Sequence, residues 1–223
     1  MREVSADELE KILKNNLDFV LELGILQEPK LCVKPVYKFI KAYIGDENIP
    51  EFALIYCEAD DPEEIYISAN PQKSRESFYY DCRGCSPLRP ACPANKTQIK
   101  LLNENDKNLC GEYYFNTVFD NFIIRKIYRD CGIIGAFDEN NNFIGYLAYY
   151  EIAENIRDVS YIYINENYRG KNYGKDLLNF FVNKNIDENK ISYYSYADGE
   201  ISENLVKSCG LLSCAKRKEP GGK

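Results

Sequence analysis

The chain has 223 residues, 45% of them hydrophobic, and a net charge of −7. That length buries one large core or two small ones, and the acidic balance argues against general nucleic-acid binding. No run of 18 apolar residues is present, so no membrane span is expected, and the absence of histidine excludes Ser-His-Asp and Cys-His catalysis and histidine metal ligands. Proton transfer must then use Asp, Glu, Tyr, Cys, Lys, water or a terminus. The opening M-R-E-V-S-A-D-E lacks an apolar core segment, so no signal peptide is expected. With nine cysteines, an odd count, this reads as a chain with reduced thiols in a cytoplasm.

Ser5 and Glu8 form a capping-box pattern, S-x-x-E, ahead of an apolar stripe of Leu9, Ile12, Leu13, Leu17, Val20 and Leu21. The stripe predicts a helix, with Gly24 as its stop. Lys34 to Ile44 is expected to be a helix or a mixed segment, with Pro35 in the first turn. Phe52 to Glu58 and Glu64 to Ser68 read as strands joined by the turn-rich A-D-D-P-E. Arg83 to Asn95 reads as a loop. Cys82, just before it, and Cys85 and Cys92 within it have two readings: reduced thiols, or three ligands of a structural zinc or an iron–sulfur cluster with Cys110 as a fourth.

The pattern changes at Thr97. T-Q-I-K-L-L reads as a strand, and Cys110 to Arg129 as a mixed, largely helical segment rich in aromatics. C-G-I-I-G-A-F and F-I-G-Y-L-A-Y-Y flank D-E-N-N-N, which predicts a hairpin. Val159 to Ile164 is a further strand, then comes a helix, then the strand K-I-S-Y-Y-S-Y, a helix to Cys209 and a last strand near Leu211 to Ala215. The order predicts a mixed α/β fold whose largely antiparallel sheet turns parallel around one crossover helix.

Between strand and helix lies Y-R-G-K-N-Y-G-K-D-L-L, Tyr168 to Leu178. The first N–H groups of a helix have no internal partner and sit at the positive end of its dipole. Gly170 and Gly174 admit close backbone approach, and Arg169, Lys171 and Lys175 add cationic donors suited to a pyrophosphate. The segment is neither a P-loop nor a dinucleotide fingerprint, because both spacings are missing. Tyr173, Leu177, Leu178, Phe181 and Val182 form the apolar stripe of the helix.

This turn resembles the R-x-x-G-x-G/A acetyl-CoA loop of the GNAT superfamily of acyl-CoA-dependent N-acyltransferases, standing here as Arg169, Gly170, Lys171, Asn172, Tyr173 and Gly174. Asn172 replaces the first motif glycine and tolerates positive φ better than most residues. The hairpin upstream and E-I-S-E-N-L-V-K-S-C-G-L downstream, ending in Gly210, match the family's order, so the resemblance covers about residues 97–218. It implies a GNAT-like N-acetyltransferase domain over residues 97–223. Residues 1–96 form an N-terminal α/β region, read as a degenerate GNAT-like half.

The resemblance further implies acetyl-CoA as cosubstrate and a primary amine of a small molecule or peptide as acceptor, with neither nucleic acid nor membrane as partner. Backbone groups of Ile162, Tyr163 and Ile164 would face the pantetheine arm and polarise the thioester carbonyl. Asp158 matches the place of a catalytic Glu in some members, and Glu151 is a second candidate base. Tyr79, Tyr80 and the cysteine loop are expected to cap the acceptor side. Two further positions, besides Asn172, depart from the family. Val206 stands where many members carry a Tyr that protonates the leaving thiolate, and Gly199 stands in place of an Asn. These departures favour the alternative function, a non-catalytic acyl-CoA sensor or interaction module.

Overall fold

The computed structural model describes residues 2–14, 19–33, 35, 37–45, 52–58, 61–69, 77–80, 97–109, 113–195 and 200–215. The chain divides into two compact units. One comprises Met1–Ser77, Ile152–Glu154 and Cys214–Lys223, the other Phe78–Glu151 and Asn155–Ser213.

The first unit holds β1 (Arg2–Val4), α1 (Ala6–Leu13), α2 (Val20–Leu31), β2 (Tyr37–Ile44), β3 (Phe52–Glu58) and β4 (Asp61–Ala69). Its strands form an antiparallel sheet in the order β1-β2-β3-β4. Ser5 caps α1, its hydroxyl accepting from the Glu8 N–H at 3.2 Å. Leu9 and Leu13 are fully buried, as are Ala42 and Leu54 on the sheet. Two expectations are corrected here. The first helix ends at Leu13, and Gly24 lies inside α2, so Gly24 does not stop a helix. Its lack of a side chain serves a close approach instead: a Cβ there would stand 2.7 Å from the Ile152 carbonyl oxygen. The segment after Pro35 is strand β2 rather than a helix, because Y-K-F-I-K-A-Y-I is aromatic and β-rich and pairs with β3 from Tyr37 to Ile44. Pro62 is tolerated in β4 because β4 is the edge of its sheet.

The second sheet is built from β5 (Ser77–Tyr80), β6 (Gln98–Leu101), β7 (Cys131–Phe137), β8 (Phe143–Ala153), β9 (Ile156–Ile164), β10 (Ile191–Ser195) and β11 (Leu212–Ala215). Its order is β11-β5-β10-β9-β8-β7-β6. The β6–β7 and β7–β8 pairs are antiparallel, and β9 and β10 are parallel, joined by the crossover helix α4 (Tyr173–Asp187). This is the mixed, mostly antiparallel arrangement expected. The sequence did not suggest β5, which places the backbone of Tyr79 and Tyr80 in the sheet between β11 and β10.

Each face of this sheet has its own core. On one face α4 lays Leu177, Leu178, Phe181 and Val182 against Ile134, Leu147 and Val159, together with Val206 of α5 (Glu200–Ser208). On the other, α3 (Tyr113–Phe119) and the π-helical turn Asp120–Ile124 bury Phe115, Phe119 and Phe122 against Ile133, Phe137 and Tyr146. The rings of Phe115 and Tyr146 meet nearly edge to face at 4.9 Å.

A buried ion cluster fixes the start of β9. Arg157, 5% exposed, donates to both carboxylate oxygens of Asp130 at 2.8–3.1 Å, to the Asn185 side-chain oxygen at 3.0 Å and to Glu188. Its guanidinium also lies 5.2 Å from the Tyr149 ring centre. Lys190 pairs with Asp130 and, at 3.0 Å, with Glu151. The end of α4 and the starts of β9 and β10 are thereby held to Asp130, just before β7. Burial opposes ionisation of Asp130, but hydrogen bonds from Lys190 and Arg157 outweigh it and hold its carboxyl below the usual range.

Candidate functional site

Parallel strands that part company leave a wedge at their C-terminal ends, the usual place for a ligand in such sheets. Here the β9–β10 pairs run Ile156↔Ile191, Arg157↔Ser192 and Asp158↔Tyr193. Beyond Asp158, β9 continues to Ile164 with no partner on that edge among the described residues. The parting coincides with a break in the pleat. Val159 packs in the α4 core, and so do Ile162 and Ile164, although residues three apart on a regular strand face opposite ways. One extra residue at Ser160–Tyr161, a β-bulge, accounts for the switch. Ser160 is the exposed residue of the strand.

Backbone direction past the bulge follows from two bonds. The Asn165 N–H donates to the Ile144 carbonyl of β8 at 2.9 Å, so Asn165 and Tyr163 direct their backbone groups toward β8. Ile162 and Ile164 therefore direct theirs to the open edge. The Ile164 carbonyl there accepts from Arg169 Nε at 3.0 Å. Of the three strand residues expected to serve the site, two present backbone groups to the wedge, and Tyr163 faces the neighbouring strand. Gly145 makes that neighbouring contact possible: a Cβ at this position would lie 2.2 Å from the Tyr163 carbonyl oxygen. Sequence reasoning passed over Gly145, although an isolated glycine in a strand signals such an approach.

The loop that follows is braced on the β7–β8 turn. Asp138 accepts from the backbone N–H groups of Asn140 and Asn142 at 2.9 and 2.8 Å, and from the Tyr168 hydroxyl at 3.1 Å. Lys171 lies 5.6 Å from the Tyr168 ring centre, and its ammonium donates to the Asn167 carbonyl at 3.1 Å. Arg169 also reaches Glu166 at 3.4 Å. Gly170 holds φ at +74°, and Asn172 holds φ at 65° as the residue that opens α4. The asparagine thus adopts the left-handed turn its position requires. The first intrahelical bond runs from the Asp176 N–H to the Asn172 carbonyl at 3.0 Å. The N–H groups of Tyr173, Gly174 and Lys175 precede that bond, and the Asn172 side chain caps none of them. A Cβ on Gly174 would meet Ile164, Leu205 and Ile162 at 3.8–4.0 Å, ordinary contact. The helix start therefore sits directly over the open edge of β9.

Replacement of Asn172 by glycine is expected to leave the melting temperature and acetyl-CoA affinity within experimental error or slightly improved. Replacement by valine, which cannot hold φ near 65° without strain of about 1–3 kcal/mol, is expected to lower both. Calorimetry on the two variants checks this.

The two candidate bases differ in setting. Asp158 is 3% exposed and ends the β9–β10 pairing at the apex of the wedge. Glu151 accepts from Lys190 and from the Asn155 N–H at 2.8 Å, within the ion cluster. Cys82, Cys85, Cys92 and Cys110 lie outside the described residues, as do Tyr196 and Gly199. Among the described residues no group of three or more Cys, Asp or Glu side chains is placed to hold a metal ion. Burial raises the Cys131 thiol and pushes Cys209 up to about 11, so neither is a thiolate at neutral pH.

Residues 99–211 match the model of the acetyltransferase (GNAT) family. No curated protein sequence matches the chain. Among solved structures, a GCN5-related N-acetyltransferase from Kribbella flavida superposes with a TM-score of 0.54 at 9% identity, over 93% of this chain and 97% of its own. A Drosophila protein gives 0.53 at 11% identity, over 95% and 94%. A conserved protein of unknown function from Staphylococcus epidermidis gives 0.47 at 12% identity, and the chain spans 57% of its length. For the Kribbella and Drosophila proteins, at these identities, the likeness is one of fold.

Proposed function

The chain belongs to the GNAT acetyltransferase family, and from that premise we propose that it transfers an acetyl group from acetyl-CoA to a primary amine by direct attack. The observation that carries this is the juxtaposition of the wedge with the start of α4. An extended, amide-bearing arm ending in a pyrophosphate has both its needs met within one strand–loop–helix unit. The backbone of Ile162 and Ile164 offers the arm a strand edge. The N–H groups of Tyr173, Gly174 and Lys175, which precede the first helical bond and are not capped by Asn172, with Gly170, Asn172 and the side chains of Arg169, Lys171 and Lys175, offer the phosphates an anion site. The thioester then falls toward the apex, where a backbone N–H at the bulge is suited to polarise its carbonyl.

Asp158 is the better candidate base because it ends the β9–β10 pairing at the apex of the wedge, whereas Glu151 lies in the ion cluster around Asp130. An amine of ordinary basicity arrives protonated, and a carboxylate or a water it holds must take that proton before nitrogen can attack. Among the described residues, the raised thiols of Cys131 and Cys209 make poor nucleophiles at neutral pH. The test is coenzyme A release from acetyl-CoA across a panel of primary amines and peptides. The reading predicts release that depends on the amine and an acetylated product of matching mass. Tight acetyl-CoA binding with no amine-dependent release from any acceptor would instead favour the sensor reading, which the valine at position 206 also suits.

A further inference from the structure

A thioester that loses its acyl group leaves an electron pair on sulfur, and Val206 has no proton to give it. The described part of the wedge holds a phenol elsewhere. Tyr194 is the first residue of β10 beyond its last pair with β9, Tyr193↔Asp158, so it stands where the two strands begin to part. Its side chain is 5% exposed and belongs to the α4 core, the face on which the helix start overlies β9. Tyr161 and Tyr163 pack in the opposite core, and Tyr193 alternates with Tyr194 to the opposite face. The Tyr194 hydroxyl is hydrogen-bonded to Ser202 in the first turn of α5. Ser202 and Val206 are four residues apart, on one side of that helix, and Val206 lies in the same buried cluster as Tyr194. The small valine and the β10 tyrosine thus belong to one buried cluster, and Ser202 links the tyrosine to the helix that carries the valine.

We propose that Tyr194, oriented by Ser202, is the group that protonates the sulfur of the departing coenzyme A; this rests on the acetyl-transfer reading above. The ammonium first gives a proton to Asp158, which releases it to solvent; the neutral nitrogen then forms its bond to the carbonyl carbon and loses its second proton to Asp158. The C–S bond breaks with its electron pair on sulfur, and the Tyr194 hydroxyl proton moves to that sulfur. The phenolate regains a proton from solvent through the Ser202 hydroxyl, and Asp158 returns its own to solvent, so thioester and amine become amide and thiol with nothing left over. Burial and the nearby Asp158 charge both raise the Tyr194 phenol, against the Ser202 hydrogen bond, so it carries its proton at neutral pH. Coupling to Asp158 sets a proton acceptor and a proton donor about the same apex.

A donor to sulfur must touch sulfur, and that contact is measurable without an acceptor. The probes are coenzyme A and its desulfo analogue, titrated calorimetrically into the full-length protein and its Tyr194→Phe variant. The wild type should favour coenzyme A by about three- to tenfold, the size of one hydrogen bond, and Tyr194→Phe should lose that preference while holding the desulfo analogue equally well. A phenol that only packs would alter both affinities together. Ser202→Ala keeps the phenol and removes its partner, so it should show a reduced preference even if Tyr194→Phe does not fold. An unchanged preference in both variants overturns the assignment and leaves the loop reading intact. Failure of the wild type to bind either probe overturns the acetyl-transfer reading itself.

Discussion

Asp158→Asn is expected to lower kcat by about 10²–10⁴-fold while acetyl-CoA affinity stays nearly unchanged. Asparagine has the shape of aspartate, so the packing of a residue that is 3% exposed is kept, but an amide has negligible basicity. Only proton removal from the acceptor is lost. The deficit should therefore shrink as the assay pH approaches the acceptor's own pKa, near ~10.4 for an alkyl amine, because the amine then arrives neutral. Amines of low pKa should show a small deficit at any pH. Steady-state kinetics on an acceptor found by the release screen checks both trends. Full activity of Asp158→Asn at neutral pH would remove Asp158 from the mechanism.

Arg157→Ala is expected to cost about 1.5–3 kcal/mol of stability, because it removes the buried partner that Asp130 and Glu188 share and leaves them Lys190 and Lys184 alone. The guanidinium is 6% exposed and joins Asp130, Asn185, Glu188 and the Tyr149 ring, so no water replaces it cheaply. The pH dependence should change as well. Burial disfavours the charged forms of Asp130 and Glu188, yet their hydrogen bonds to Lys190, Lys184 and Arg157 hold both carboxyls below their ordinary values. Carboxyls lowered on folding contribute stability above their unfolded pKa and lose it as pH falls through the folded one. The wild type should therefore weaken on the acid side of about pH 4, and Arg157→Ala should show a flatter acid limb. Burial pushes Tyr149 up to about 12 from 10.0, so its contribution holds below the unfolded value and is lost as pH rises toward the folded one. Chemical denaturation across pH measures both limbs.

The local elements of residues 97–215 were legible because their signals are local. A turn-former run between two apolar strands gives the β7–β8 hairpin, and a 3.6-residue stripe after a glycine turn gives α4. Asn172 could be read as a left-handed residue from its chemistry alone. What escaped depends on pairing at a distance. Nothing in S-F-Y-Y announces a strand between β10 and β11. Gly24 looked like a helix stop because a close approach to Ile152 leaves no local mark. Tyr37 to Ile44 reads at either period until β3 lies beside it. The wedge followed the same rule: the strand and loop were visible, but the bulge at Ser160–Tyr161 and the turning of Ile162 and Ile164 to the open edge were not. Tyr194 gained a place at the apex only when the register with Asp158 was known.

The central claim is that the loop and helix start over β9 hold the pyrophosphate of acetyl-CoA. Calorimetric titration of acetyl-CoA into the wild type and into Arg169→Ala/Lys171→Ala tests it most directly. Both side chains are exposed, and they meet Ile164, Glu166 and Asn167 of the loop, so the variant should melt close to the wild type. Charge-assisted contacts are worth ~1.5–3 kcal/mol each, so losing two should weaken binding by at least about a hundredfold. A folded double variant that binds acetyl-CoA as tightly as the wild type would contradict the claim.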